Sequence, residues 1–269
     1  MIRAVPQLAI VDFSWYGNPF DAQSNALLIE ALRKRGVTAG IVSFPRDHRP
    51  EITASRAWLR YDVRKPDDLQ WVAETAQLLK RAGITTFPTA EAIVASEDKW
   101  ATAEALKKAR IPIPLTVIGR DAFDCGFPVI LKPRVGWGAM NTWVIRFPGD
   151  PGPAKAEIEN YIAQPFISHE RTLIAAMAGG RPIVCIEDRG GGISASGRVG
   201  TVPFPDQGAE LASQALSAVG LIAGTVDLIE IPDGLLVLEV NSAPRLTYPH
   251  LPKVDLAGPI VDSVYQLRV

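Results

Sequence analysis

Cysteine is scarce in this chain: Cys125 and Cys185 are the only two among 269 residues, far apart and without a CxxC or a Cys/His grouping. That pattern supports neither a disulfide framework nor a structural zinc site, and it fits a reducing cytoplasm. Long apolar runs are missing too. Nothing approaches the roughly 18 residues of a membrane span, and Met1 to Pro6 holds no apolar signal core. Charge of one sign is not in excess, with 28 Lys and Arg against 29 Asp and Glu and a formal net charge of −1. No global basic field exists to attract a nucleic-acid backbone, so DNA and RNA partners are disfavoured. No GxGxxG follows the first apolar run, which argues against a dinucleotide site.

What is present, 47% apolar and 21% charged residues, suffices for a sizeable core in two or three lobes. The first hundred residues alternate strand and helix signals. Leu8 to Val11 predicts a strand and Ser14 to Asp21 a polar loop. A helix then carries Leu28, Ile29 and Leu32 and closes with Arg33, Lys34, Arg35 and Gly36. Val37 to Phe44 reads as a strand, and a second helix starts near Pro66, lines up Leu69, Val72, Ala73, Ala76 and Leu79, and ends at Gly83. This is an open-sheet α/β lobe, of the kind that binds ligands at the carboxyl edge of its strands. Lys99 to Arg110 predicts a short helix, and Ile111-Pro112-Ile113-Pro114 an extended connector. A boundary falls near residue 98. Beyond it strands are expected at 128–132, 142–147, 172–177, 182–186 and 225–240, with helices near 152–163 and 207–219.

The runs 226–231 and 235–240 flank Pro232-Asp233-Gly234, a hairpin signal with a three-residue loop. With Asp233 at its centre, 231 pairs with 235, 229 with 237 and 227 with 239. Asp227 and Glu239 then oppose each other on one face, which Asn241 shares. Like charges in direct opposition are unfavourable unless neutralised, and two carboxylates with an amide oxygen are hard ligands suited to magnesium. A solvated outer face with lysines nearby is the competing reading.

Lys132 ends the apolar strand Val129-Ile130-Leu131 and is followed by Gly136 and Gly138 in a loop whose N–H groups can cradle phosphate. Taken alone, the same residues read more simply as a plain hairpin loop. Lys99 sits at a helix start, against the macrodipole, as an anion-binding lysine would or as one paired with Glu97 or Asp98 would.

In order, these pieces resemble the ATP-grasp ligases, and most of all the RimK-like amino-acid (glutamate) ligases and tyramine–glutamate ligase, over about residues 85 to 250. The resemblance implies an ATP-grasp fold of α/β lobes: a pre-ATP-grasp domain over 1–98, a central lobe over about 99–162 and a C-terminal lobe over about 163–269. It implies ATP with Mg2+ (or Mn2+) as cofactors. Lys99, Lys132, Gly136 and Gly138 would meet the phosphates, and Gln164, Phe166 and Ile167 the adenine. Glu170 would take the ribose, while Asp227, Glu239 and Asn241 would hold the metal. Arg245 and Lys132 would be the catalytic cations. Ala139, Met140 and Pro165 depart from the family pattern, as does the spacing Asn241-Ser242-Ala243-Pro244-Arg245.

The activity implied is amide-bond formation between a carboxylate and an amine through an acyl phosphate, with glutamate as one substrate and a small metabolite or cofactor precursor as the other. Arg189 and Arg198 flank a glycine-rich loop and, with Tyr248, are the candidate substrate contacts; an ordinary surface loop is the alternative. A homodimer is compatible with the family. Two other readings remain: a small-molecule phosphotransferase on the same ATP site, and a nucleotide-binding protein without catalysis.

Overall fold

The computed structural model describes residues 7–189, 199–248, 251 and 254–265. Its first sheet is built from β1 (Leu8–Phe13), β2 (Ala39–Ser43), β3 (Arg56–Tyr61) and β4 (Thr85–Phe87), all parallel, in the order β2-β1-β3-β4. Parallel sheets are covered on both faces. In β1 the alternation shows it directly. Ala9, Val11 and Phe13 join one core with Leu59 and Val72, whereas Leu8 and Ile10 join another with Leu28, Leu32 and Val261. Helix α1 (Pro19–Lys34) lies on the second face and α2 (Pro66–Arg81) on the first. In α2, Pro66 opens the helix, Asp67 and Asp68 occupy the first turn, Lys80 and Arg81 the last, and the apolar stripe is buried. Strand β3 escapes a pattern reading because its run RAWLRY carries two arginines, yet Arg60 is buried in place.

Helices α3 (Ala90–Glu97) and α4 (Lys99–Lys108) follow, kinked at Asp98, which caps α4 by accepting from the Trp100 N–H at 2.9 Å. A second sheet contains β5 (Val117–Ile118), β6 (Val129–Pro133), β7 (Trp143–Ile145) and β8 (Tyr161–Pro165), antiparallel, in the order β5-β8-β6-β7. The helix expected at 152–163 is corrected: only Lys155–Asn160 winds, as a 3-10 turn, and β8 begins at Tyr161. β-Propensity of Tyr161 and Ile162 together with burial against Leu131 wins there over helical pattern.

The third sheet has β9 (Thr172–Ala178), β10 (Arg181–Asp188), β11 (Val199–Val202), β12 (Ala223–Ile231) and β13 (Gly234–Asn241), antiparallel, in the order β11-β10-β9-β12-β13. Helix α5 (Gly208–Ala218) covers one face. On the other, Ala176 and Ala178 of β9 pack with α6 (Ala257–Tyr265) and α1. Small side chains let the helices approach, and towards Ile174 and Thr172 the same face opens into a cleft.

Candidate active site

A cleft of about 1810 Å³ runs between the second and third sheets. Its floor is the β12–β13 hairpin. Asp227 stands opposite Glu239, and Thr225 opposite Asn241, so the three oxygen-bearing side chains share a face. The pairing arises differently from expectation. The loop has two residues, with Ile231 paired to Gly234 and Ile229 to Leu236, and an irregularity beyond Asp227 leaves Leu238 as the extra residue of β13. The bulge absorbs the one-residue slip, and it turns both Leu238 and Glu239 towards the cleft. The expected opposition of Asp227 and Glu239 is present, while the 231–235 and 229–237 pairs are not.

Across the cleft, β6 presents Lys132, half-buried. Lys99 starts α4, its N–H donating to the Arg134 carbonyl at 2.8 Å and its Nζ to the Gly136 carbonyl at 2.8 Å. Lys99 Nζ also lies 3.3 Å from Glu239 Oε1. It pairs across the cleft; Asp98 is taken by Arg134, with Nη2 to Oδ2 at 2.5 Å. Two lysines therefore face two carboxylates. Burial, with Glu239 adding to it, raises the Asp227 carboxyl well above the usual range, and Lys132 opposes the shift. Burial pushes the Lys132 ammonium down, against the pull of Glu239 and Asp227.

Asn241 Nδ2 lies 3.5 Å from Asp227 Oδ1. Among the described residues no group of three or more His, Cys, Asp or Glu assembles a metal cage. Two carboxylates plus an amide oxygen instead fit a cation that keeps waters or phosphate oxygens as its remaining ligands, which is magnesium's habit.

The loop after β6 roofs the cleft. Gly138, Ala139 and Asn141 all have left-handed φ, of 65°, 57° and 56°. For Ala139, which lines the cleft, that conformation is strained, as backbone aimed at a ligand often is, whereas asparagine adopts it readily. At the back, Gln164 is buried on β8 and donates to Thr116 Oγ1 at 2.9 Å, while Phe166 and Ile167 carry the chain from the second sheet to the third.

The model of the ATP-grasp domain matches residues 96–249. This chain belongs to the ATP-grasp family. Among curated relatives it is 25% identical over 252 residues to the glutamate–LysW ligase ArgX of Sulfurisphaera tokodaii, covering 83% of this chain and 87% of that protein. It is 27% identical over 203 residues to a probable alpha-L-glutamate ligase of Haemophilus influenzae, covering 68% and 67%. Among solved structures, a RimK domain ATP-grasp protein from Sphaerobacter thermophilus has the same fold, with a TM-score of 0.71 over 96% of this chain and 99% of that one at 21% identity. The expected family and fold class are borne out.

Of the residues singled out in the sequence, the ATP-grasp cleft brings together Lys99, Lys132, Gly136, Gly138, Gln164, Phe166, Ile167, Asp227, Glu239, Asn241 and Arg245. Glu170 is exposed and does not line the cleft, whereas His169, its ring bonded to the Ile167 carbonyl at 2.8 Å, does. Arg189, just past β10, is exposed and turns its guanidinium onto Glu187, 3.1 Å away. Arg198 lies outside the described residues. Tyr248 lines a second pocket, of about 830 Å³, which shares Trp137, Ile174, Asp227, Asn241 and Arg245 with the cleft.

That second pocket was not anticipated. The N-terminal residues Asn18, Asp21, Tyr61 and Asp62 complete it, together with Glu97. Beyond Tyr248, singled out from the sequence as a candidate substrate contact, its trace in the sequence was the rule that parallel sheets bind at their carboxyl edge.

Proposed function

We propose that this chain is an ATP-dependent carboxylate–amine ligase that forms an amide through an acyl phosphate. The observation that carries the reading is the pairing of Asp227 and Glu239 with Asn241 beneath Lys99 and Lys132, in a chain whose relatives are named as glutamate ligases. In this reading ATP lies in the large cleft, its adenine against Gln164, Phe166 and Ile167 and its phosphates between the two lysines and the Gly136–Gly138 backbone. Residues 1–98 form the pre-ATP-grasp lobe and 99–269 the ATP-grasp lobes, with β8 belonging to the central one.

Asp227, Glu239 and Asn241 are the residues that would hold magnesium, which when bound spreads the charge developing on the phosphate oxygens. Lys99 then exchanges its Glu239 contact for phosphate, so carboxylates and ammonium groups each find a partner of opposite charge. Lys132 and Arg245 hold the transferring phosphoryl group in line with the carboxylate oxygen that attacks it. The O–P bond to ADP breaks as the acyl phosphate forms. The amine nitrogen next attacks the acyl carbon, inorganic phosphate leaves, and the nitrogen sheds its surplus proton. No enzyme nucleophile takes part.

The test uses hydroxylamine as a surrogate amine, with purified protein, magnesium, ATP and a panel of carboxylates. Acyl hydroxamate and ADP are expected together. Asp227→Asn and Glu239→Gln should each lower hydroxamate formation at least 100-fold while circular dichroism stays native. Wild-type rates in both variants would remove the metal assignment, and a stable phosphorylated product without any amine would favour a phosphotransferase.

A further inference from the structure

The loop that roofs the cleft stands on the first lobe. Val135 is buried in the core of the first sheet with Val11, Leu59 and Val72. Gly136 runs past Arg64, whose carbonyl oxygen would lie 3.8 Å from an added Cβ. Trp137 is 45% exposed, and the Arg64 guanidinium sits over its ring, 5.2 Å from the centroid. The same guanidinium lies over Tyr16 at 4.1 Å, while Arg46 lies over Tyr16 at 5.3 Å and over Trp15 at 4.3 Å. Rings and cations thus alternate from the loop after β1 to the roof of the cleft.

Carboxylates pin this ladder along its edge. Asp62 takes the Arg64 guanidinium, Nη2 to Oδ2 at 2.7 Å and Nε to Oδ1 at 3.2 Å. Asp68, buried in the first turn of α2, accepts from the Tyr16 hydroxyl at 2.5 Å and from the Arg64 N–H at 3.0 Å, and lies 2.7 Å from Arg46. With its edge engaged, a planar guanidinium keeps its faces for aromatic rings. The roof needs such support, because a strained residue like Ala139 persists only where its surroundings fix it. Lys99 holds the Gly136 carbonyl, yet in the ligase reading that ammonium turns to phosphate. Arg64 and Tyr16 do not line the cleft, so a nucleotide leaves the ladder whole.

We propose that Arg64 is a positioning residue for the nucleotide: stacked on Trp137, it holds the 136–139 backbone at the phosphates from the neighbouring lobe. The inference rests on the ligase reading, which sets the phosphates beneath that backbone. A loop ordered before its ligand arrives loses less freedom on binding. A partly shielded cation–π contact is worth about three- to ten-fold in an equilibrium, which fixes the size of the effect. The adenine end, against Gln164, Phe166 and Ile167, has no part in the ladder.

Calorimetric titration of the full chain with magnesium and adenylyl imidodiphosphate, and separately with adenosine, tests this. Arg64→Ala and Trp137→Ala should each weaken the triphosphate analogue about three- to ten-fold, while adenosine moves less than two-fold, a split that a general loosening of the fold would not produce. The double variant should bind no more weakly than the worse single one, since both remove the same contact. Trp137→Phe keeps a ring and should recover most of the loss; with Trp137→Ala it carries the test if Arg64→Ala does not fold. Analogue affinity within three-fold of wild type in Trp137→Ala, an equal loss for adenosine, or additive losses in the double variant each overturn the proposal. In those cases a wild-type protein that binds the analogue and forms hydroxamate leaves the ligase standing. A wild-type protein that binds neither ligand removes the nucleotide site, and the ligase reading with it.

Discussion

Burial pushes the Asp21 carboxyl up to about 6; Asp62 and Asp12 push the same way and Arg60 opposes them. Its folded pKa thus lies above its unfolded value near 3.8, so the ligand-free fold binds this proton more tightly than the unfolded chain does. Below about pH 4 both states are protonated and nothing is lost. Between about 4 and 6 stability falls, and above that the full penalty stands. An asparagine mimics the protonated acid. Asp21→Asn is therefore expected to stabilise the ligand-free protein at pH 8, on the order of 1 kcal/mol after allowance for partial exposure, and to change nothing at pH 4. Urea unfolding at the two pH values checks it, and equal effects at both would refute it. Asp227 and Glu239 were legible in the sequence because a hairpin ties them together within 13 positions; Asp21 was not, because the run from Ser14 to Asp21 reads as ordinary polar surface, and only the fold sets the first turn of α1 in one pocket wall with Tyr61 and Arg245.

At the scale of elements, the β12–β13 ladder decides the geometry of the oxygen ligands. Gly224 packs under its end, where an added Cβ would come within 2.5 Å of the Asn241 carbonyl and 3.0 Å of a Leu216 methyl. Gly224→Ala must push the two strands apart at Asn241. We expect a loss of about 1–3 kcal/mol in stability and weakened magnesium-dependent nucleotide binding, measured by thermal unfolding and titration with the ATP analogue. Wild-type affinity in this variant would mean that Asn241 is not held by the ladder. The sequence pattern located the hairpin and its paired acids but assigned the extra residue to the turn. Pattern cannot distinguish a longer loop from a bulge, since both bring residue 239 opposite 227. Helix α4 was read from its sequence, starting at Lys99 as expected, whereas strand β8 and the short helix α3 were blurred, their runs being too brief for a period to emerge.

Across the whole molecule, α6 returns from the far end of the chain to close the first sheet onto the third. Arg35, just past the end of α1, binds Asp262, with Nη2 to Oδ2 at 2.7 Å, and the Gly258 carbonyl at 3.0 Å. Val261 and Ile260 are buried with Leu28 of α1 and Ala176 of β9. Val261→Asp would set an unpaired charge into that junction at a cost on the order of 4 kcal/mol, enough to unfold the protein as a unit and not α6 alone. Circular dichroism and a single unfolding transition read the outcome; native spectra with an unchanged midpoint would show that α6 is an accessory. Such shared packing crosses between the two ends of the sequence, and no local period reports it.

The wall that the first sheet gives to the second pocket has one more consequence. Residues 96–249 carry the family match and the whole set of oxygen ligands, while the loops after β1 and β3 lie outside that stretch and reach the reaction centre only at their tips. The family match and this wall of the second pocket are thus written in separate stretches of the chain. Exchanging residues 14–21 and 62–65 for those of a relative is therefore expected to reshape that wall while every candidate oxygen ligand keeps its place, which the magnesium dependence of nucleotide titration in the chimaera would check.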